Sequence, residues 1–367
     1  MGITTLFLQL RTRLLLNTHV QVGTPRMDWV ALPILNRVRN PIYCFLSHYI
    51  NSITHSHIQS HLVGAVQQHF NVGSARKISI NLPPLPTQKA IAHILGTLDD
   101  KIELNRRMNE TLESIARAIF TSWFIDFDPV RAKAEGRQPE GMDAATAALF
   151  PSEFEEVEGQ EIPKGWQIKP IGDILEVKGG STPSTENESY WGGNIPFCTP
   201  KDLSNSKTPF ILSTERTITE LGVGEISSGI LPIGTVLLSS RAPIGYVSIT
   251  IAPISINQGF IALIPNESCN NYFIFEWLKA NMELIIGNAN GTTFLEISKK
   301  NFKPLSLCLP PKKLMQAYSL LINPIFTKIK SNLIQNQELS QTRDTLLPKL
   351  LSGELPIDNP EQFTGVS

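Results

Sequence analysis

Two stretches far apart in the chain carry one frame. "KIELNRRMNETL" (Lys101–Leu112) and "KIKSNLIQNQEL" (Lys328–Leu339) both read K-I-x-x-N-x-x-x-N-x-x-L, 227 residues apart. The first lies in a run from about Pro86 to Phe124 that contains one glycine, Gly96, and no proline after its start. Apolar side chains recur at Ile91, Leu98, Leu112 and Ile119, and at Leu95, Ile102, Ala116 and Trp123. That seven-residue period predicts a helix of about 38 residues, roughly 57 Å long. Such length points to a coiled coil rather than an ordinary globular helix. The second copy opens at "LPPKKLMQAYSLL" and predicts a helix over about Pro311–Leu351. Its expected seam is Ile325, Ile329, Leu339, Leu346 and Leu350, with kinks at Pro324 and Pro348. Asn105 and Asn109 in the first helix, and Asn332 and Asn336 in the second, fall on the seams. A buried Asn in a seam costs stability but fixes register. Antiparallel packing would bring the two pairs together near the helix midpoints. The plainer reading is two unrelated amphipathic helices with Asn on the wet edge.

At 367 residues the chain suits two or three domains, and its 41% hydrophobic content is that of a folded protein. A net charge of −1 gives no global field that would draw nucleic acid, which leaves local patches to do so. Residues 1–80 hold seven Lys/Arg against one acid, Asp28, and six of the seven histidines. The four cysteines, Cys44, Cys198, Cys269 and Cys308, form no C-x-x-C pair, which argues against zinc and against a disulfide framework. "ITTLFLQLRTRLLL" is interrupted by Arg11 and Arg13 and is too short to span a membrane. A cytoplasmic protein with no membrane partner is expected.

The organisation expected is α+β: a mixed α/β domain joined to two long helices that form an antiparallel spacer. Residues 126–160 read as an Ala/Gly/Pro/Glu-rich linker. Residues 161–303 read as a globular domain with a buried Trp166, a strand near Ile174–Val177 and a Gly-Gly turn. "GTVLLSSRAPIGYVSITIAPISINQGFIALIP" predicts three short strands, and "NNYFIFEWLKANMELIIG" one amphipathic helix stopped by Gly287. The long helices take residues 81–125 and 304–356, and residues 357–367 are a tail. The repeat also extends upstream, because Gly64 and Gly291 are again 227 residues apart. Residues 1–80 therefore read as the last part of a first copy of the domain. Within them a helix near Pro41–Ile50, a turn around Gly64 and a strand leading into Pro83 are expected, with residues 1–30 loosely attached.

A domain plus a long helix, given twice, resembles the specificity subunit of type I restriction–modification enzymes. The phrases that carry the resemblance are "PLPTQKAIAHIL", "LNRRMNETLESIARAIFTSWFIDFDPVRAK", "IPKGW" (Ile162–Trp166), "SSRAPIGYVSI" (Ser239–Ile249), "INQGF" (Ile256–Phe260) and "LLPKLLSGEL" (Leu346–Leu355). In this order they cover about residues 31–356. The resemblance implies a non-catalytic subunit in which two target-recognition domains each read half of a split sequence in double-stranded DNA. It implies methyltransferase (modification) subunits that methylate adenine with S-adenosylmethionine, and a restriction/motor subunit that uses ATP and Mg. No cofactor is expected on this chain itself. The first recognition domain lacks most of its length, so the chain reads as an N-terminally truncated member. It would then read one half-site and draw the other from a second specificity chain. A helical scaffold protein, or a fragment without DNA recognition, is the alternative.

Base readout needs donors and acceptors on loops that can enter a groove, and backbone contact needs Lys, Arg and small hydroxyls. The candidates are Lys178, Ser181 and Thr182 by the Gly-Gly turn; Lys201 and Asp202; Ser239, Ser240 and Arg241; and Asn257 and Gln258. For "LLSSRAPIG" a purely structural turn, with Arg241 capping it or paired to an acid, stands equally open. Asn257 and Gln258 favour bracing a strand–turn junction. Gly179–Gly180 favour a tight turn, and no phosphate-loop frame is present. "DFDP" (Asp126, Asp128) favours a helix-exit turn over a metal pair. "NLPPL" (Asn81–Leu85) lacks the aromatic that an adenine-methyltransferase loop needs. No nucleophile–base or nuclease constellation emerges.

Overall fold

The computed structural model describes residues 41–52, 82–204, 208–241, 243–291 and 295–363. The expectations for residues 1–30, for the turn at Gly64 and for the strand leading into Pro83 lie outside the described residues. The chain divides into two compact units, residues 1–107 with 332–367, and residues 108–331. Both long helices are present, at Leu85–Phe124 and Lys312–Ser352, and both contribute to each unit; they are shorter than the spans 81–125 and 304–356, since residues 82–84 are not helical and Ser306–Leu309 pairs as a strand with Gln167–Pro170.

In the first unit, Gln88 ties the helix start to the preceding prolines: its backbone N–H donates to the Pro84 carbonyl (3.0 Å) and its side-chain amide to that of Pro83 (2.7 Å). The helix Pro41–Ser52 buries Phe45 and Tyr49 against Ile91 and Leu95 of the first long helix and Leu347 and Leu350 of the second. Asp99 sits beside this core. It accepts from Arg343 Nη1 at 2.7 Å and stands 3.3 Å from His48 Nε2. Burial holds the His48 pKa below its ordinary value, opposed by the Asp99 carboxylate. The contacts Asp99–Arg343 and Asn105–Asn336 run in opposite senses along the two helices, which are therefore antiparallel here.

Asn105 is wholly buried, and its Nδ2 donates to Asn336 Oδ1 at 2.9 Å and Gln335 Oε1 at 2.7 Å. Its Oδ1 is buried with no donor among the described residues. The amide thus holds one register with half of its hydrogen-bonding capacity. Replacing Asn105, Asn109, Asn332 and Asn336 with Leu is expected to raise the melting temperature while loosening that register. Spin labels at the exposed Arg106 and Gln337 positions check this, with a broadened distance distribution expected. A lower melting temperature with an unchanged distribution contradicts it.

In the second unit the helices are again antiparallel: Asn109 Nδ2 donates to the Ile329 carbonyl (3.3 Å), and Phe124 meets Tyr318 edge-on with ring centroids 4.9 Å apart. Phe120, Trp123, Phe124, Phe273 and Tyr318 form one aromatic node. The second helix buries Leu314, Met315, Tyr318, Ile322, Phe326 and Ile329, whereas the expected seam residue Ile325 is half-buried. The buried face is rotated because this helix also packs on the globular domain. Phe326 stacks on Tyr272 with centroids 4.3 Å apart and meets Phe210 and Phe275 edge-on. The helix continues through Pro324 and Pro348, both exposed, where water can bond the carbonyls that a proline leaves unpaired.

The expected linker is ordered. Helices occupy Asp128–Ala134 and Ala144–Ala148, and Phe150 packs edge-on against Trp123 at 5.2 Å. "DFDP" is the turn out of the long helix, with Phe127 in the left-handed region (φ 56°). The strands are β1 (Phe154–Val157), β2 (Gln160–Pro163), β3 (Gln167–Pro170), β4 (Glu176–Gly179), β5 (Trp191–Cys198), β6 (Phe210–Ile211), β7 (Arg216–Ile218), β8 (Val236–Ser239), β9 (Val247–Thr250), β10 (Ser255–Ile256), β11 (Phe260–Ile264) and β12 (Ser306–Leu309). A five-stranded sheet has the order β4-β11-β8-β9-β6, and a three-stranded sheet the order β10-β5-β7. The pairs β1–β2 and β3–β12 are two-stranded. Four strands thus stand where three were expected between Val236 and Ile264. The extra one, β10, leaves the larger sheet to pair parallel with β5. The expected single helix is two, Asn271–Ala280 and Met282–Gly287, broken at Asn281. Asn270 caps the first by accepting from the Phe273 N–H at 2.8 Å.

Candidate nucleic-acid interface

The pairing register sets which loops meet. β11 runs antiparallel to both β4 and β8, with Ile261 opposite Gly179 and Phe260 opposite Ser239. The end of β4, the end of β8 and the start of β11 therefore lie at one edge of the sheet. The loops at these ends include residues 180–182, 240–241, 243–245 and 257–259. The end of β5 joins them, since Asn257 N–H donates to the Cys198 carbonyl at 3.1 Å. Two close approaches lock the edge. A Cβ on Gly180 would sit 1.9 Å from the Ile256 carbonyl oxygen, and one on Gly259 would sit 2.7 Å from the Pro200 ring. Glycine is required at 180 by space.

This edge gathers all four groups of candidate residues, and their roles divide by exposure. Ser239 is fully buried; its Oγ donates to the Pro243 carbonyl and accepts from the Tyr246 N–H, each at 2.8 Å. Ser240 is buried, and its backbone bonds Gly259 O (2.8 Å) and Ile297 N (3.0 Å). These two serines shape the turn. Asn257 Oδ1 accepts from Gly259 N–H at 2.9 Å and so braces its own loop. Ser181 bridges to the 225–227 segment, donating to Glu225 O and accepting from Ser227 N–H. Asp202 accepts from the backbone N–H and the hydroxyl of Thr199, both at 2.7 Å, and from Glu215 N–H at 2.7 Å.

The exposed members are Thr182, Gln258 and Lys201, with Lys178 and Arg241 half-buried. Thr182 Oγ1 donates to Gln258 Oε1 at 2.6 Å, which joins two loops across the edge. Each of the three cations has an acid: Lys178 with Glu176 at 3.1 Å, Lys201 with Glu215 at 2.8 Å, and Arg241 with Glu296 at 3.8 Å. The Glu215 carboxylate raises the Lys201 pKa. Exposed pairs of this kind hold each other weakly and exchange readily for a phosphate.

A further cation, Arg216, escaped the sequence reading. It opens β7 opposite Phe197, at the same end of β5, and its guanidinium lies over the Trp191 ring, 3.4 Å from the centroid. The two residues are 25 positions apart, and no local spacing marks them. Burial pushes the Cys198 thiol far up, and among the described residues no group of three or more His, Cys, Asp or Glu could hold a metal ion. Among the described residues no helix is long and apolar enough to cross a membrane.

A family profile described as "Type I restriction modification DNA specificity domain" matches residues 29–114 and 163–338. Over 323 residues the chain is 33% identical to the type I restriction enzyme HindI specificity subunit of Haemophilus influenzae, covering 77% of this chain and 70% of that one. It is 38% identical over 213 residues to the MjaIX specificity subunit of Methanocaldococcus jannaschii, covering 57% of this chain and about half (49%) of that relative. The crystal structure of a type I restriction–modification system S subunit from M. genitalium superposes with a TM-score of 0.52 at 16% identity, covering 85% of this chain and 74% of that one. At that identity the likeness concerns the fold. The matched segments take in the first long helix as far as Ser114 and the whole loop edge described above, and the chain belongs to the type I restriction–modification DNA specificity family.

Proposed function

We propose that the chain is the DNA-recognition subunit of a type I restriction–modification complex, and that the loop edge formed by residues 178–182, 199–202, 239–241 and 257–258 meets double-stranded DNA. The observation that carries this reading is the convergence of exposed Thr182, Lys201 and Gln258, with half-buried Lys178 and Arg241, on one end of a sheet. Amide and hydroxyl groups there supply donors and acceptors for base edges, and the cations supply phosphate contacts. The buried serines, Asn257 and Asp202 hold the loops in place. The chain acts without catalysis of its own. Methyltransferase subunits with S-adenosylmethionine act on the adenine, a restriction/motor subunit uses ATP and Mg, and a second specificity chain is a further partner for a two-part target.

Arg241 tests the edge. In the assembled methyltransferase complex, Arg241→Ala is expected to weaken target binding by roughly 1–3 kcal/mol where it touches a base. A loss equal on every sequence, with a salt dependence shallower by about one unit, makes it a phosphate contact. Wild-type binding with neither sequence preference nor salt dependence would overturn the reading and leave a helical scaffold.

A further inference from the structure

We infer that Arg216 reads the O6/N7 edge of a guanine; this rests on the function proposed above. Arg216 stands apart from the other cations at the recognition edge. Lys178, Lys201 and Arg241 each face a carboxylate, whereas Arg216 is paired with none among the described residues. What holds it is an aromatic face, with its guanidinium carbon 3.4 Å from the centroid of the Trp191 ring.

The ring is itself fixed. Trp191 Nε1 donates to the Ser184 carbonyl at 3.0 Å, and the indole meets Phe197 edge-on with centroids 5.2 Å apart. A guanidinium stacked on a fixed indole keeps its charge and loses rotational freedom. Its N–H donors lie in its own plane, parallel to the ring, so stacking leaves that hydrogen-bonding edge open. The residue is exposed, on the outer strand of the β10-β5-β7 sheet. Its neighbour Glu215 holds Lys201, which places the fork beside the proposed contact surface. A planar pair of donors matches the two acceptors that guanine shows in the major groove. An ammonium, a point charge, does not reproduce that match.

The experiment uses the assembled methyltransferase complex and duplexes carrying the wild-type target, each single G·C-to-A·T change within it, and a random sequence. Wild type is expected to lose roughly 10- to 100-fold at one particular G·C pair. Arg216→Lys and Arg216→Ala should both lose that discrimination, with Arg216→Lys keeping wild-type affinity for the random duplex. Trp191→Phe, which keeps a smaller ring face, should lie between wild type and Arg216→Lys. Discrimination retained in Arg216→Lys overturns the inference. So does an equal loss on all duplexes with a shallower salt dependence, which assigns Arg216 to a phosphate. Unchanged binding in both variants reduces Arg216 to a cover for Trp191. A wild-type complex that discriminates no sequence overturns the underlying reading as well, whatever the variants do.

Discussion

Gly180→Ala is expected to lower the stability of the recognition domain by about 3 kcal/mol or more and to abolish target recognition. The added carbon would lie 1.9 Å from the Ile256 oxygen, 2.5 Å from its carbonyl carbon and 2.6 Å from the Asn257 oxygen. All three are backbone atoms, so no rotamer change relieves the clash. Relief requires the 256–257 backbone to move, yet Ile256 pairs with Cys198 in the β10–β5 register and Asn257 N–H bonds the Cys198 carbonyl. Moving it also separates Gln258 from Thr182. A fall in melting temperature of roughly 6–12 °C follows for a unit of this size. Gly224→Ala is the control, because its Cβ meets nothing within 4 Å; its stability should change by no more than about 0.5 kcal/mol. Equal melting of the two variants contradicts the packing described.

Glu276→Gln is expected to stabilise the protein above neutral pH. Glu276 is 2% exposed, on the helix Asn271–Ala280, and its Oε2 has no partner among the described residues. Burial pushes its pKa up to about 7, against the pull of Lys279 and Arg117 and with a further push from Glu113. Tyr318, whose buried hydroxyl is unpartnered among the described residues, faces the same group. The folded form therefore binds the proton more tightly than the unfolded chain. The stability from the neutral carboxyl is fully present below the ordinary value of 4.5 and is lost as pH rises to about 7. The shift corresponds to about 3 kcal/mol. The amide cannot ionise, so Glu276→Gln should flatten this part of the pH profile and gain on the order of 1–3 kcal/mol at pH 8. Denaturant unfolding at pH 5 and pH 8 checks it. Identical profiles for wild type and variant contradict it.

The two long helices were legible as helices from their seven-residue period, but the span 304–356 ran too far, because Ser306–Leu309 pairs with β3 and the second helix begins only at Lys312. Which face of the second helix is buried was less so. Tyr272, Phe275 and Phe210 cover Phe326 from distant parts of the chain and turn the buried face away from Ile325. The linker misled through composition: its many alanines and glutamates hid Pro129, Val130 and Phe150, which anchor it. Candidate site residues were found by type, but sequence alone cannot show that Thr182 and Gln258, 76 positions apart, share a hydrogen bond. Only the antiparallel register of β4, β11 and β8 brings them together. Type also cannot separate a hydroxyl that faces solvent from one that closes a turn. Ser239 and Ser240 follow an apolar strand, as a contact residue would, yet both are enclosed by the loops around them. Arg216 stayed unseen because its partner is an aromatic ring on another strand.

On the function proposed, this chain directs adenine methylation to a DNA sequence read by the edge at Gly180, Arg241 and Gln258. The decisive experiment is an adenine-methylation map in a host with no other type I system, carrying the partner methyltransferase subunit with and without this chain. A methylated sequence motif is expected that appears only with the chain and disappears with Gly180→Ala while Gly224→Ala retains it. Maps identical with and without the chain, or a motif that survives Gly180→Ala unchanged, would contradict it.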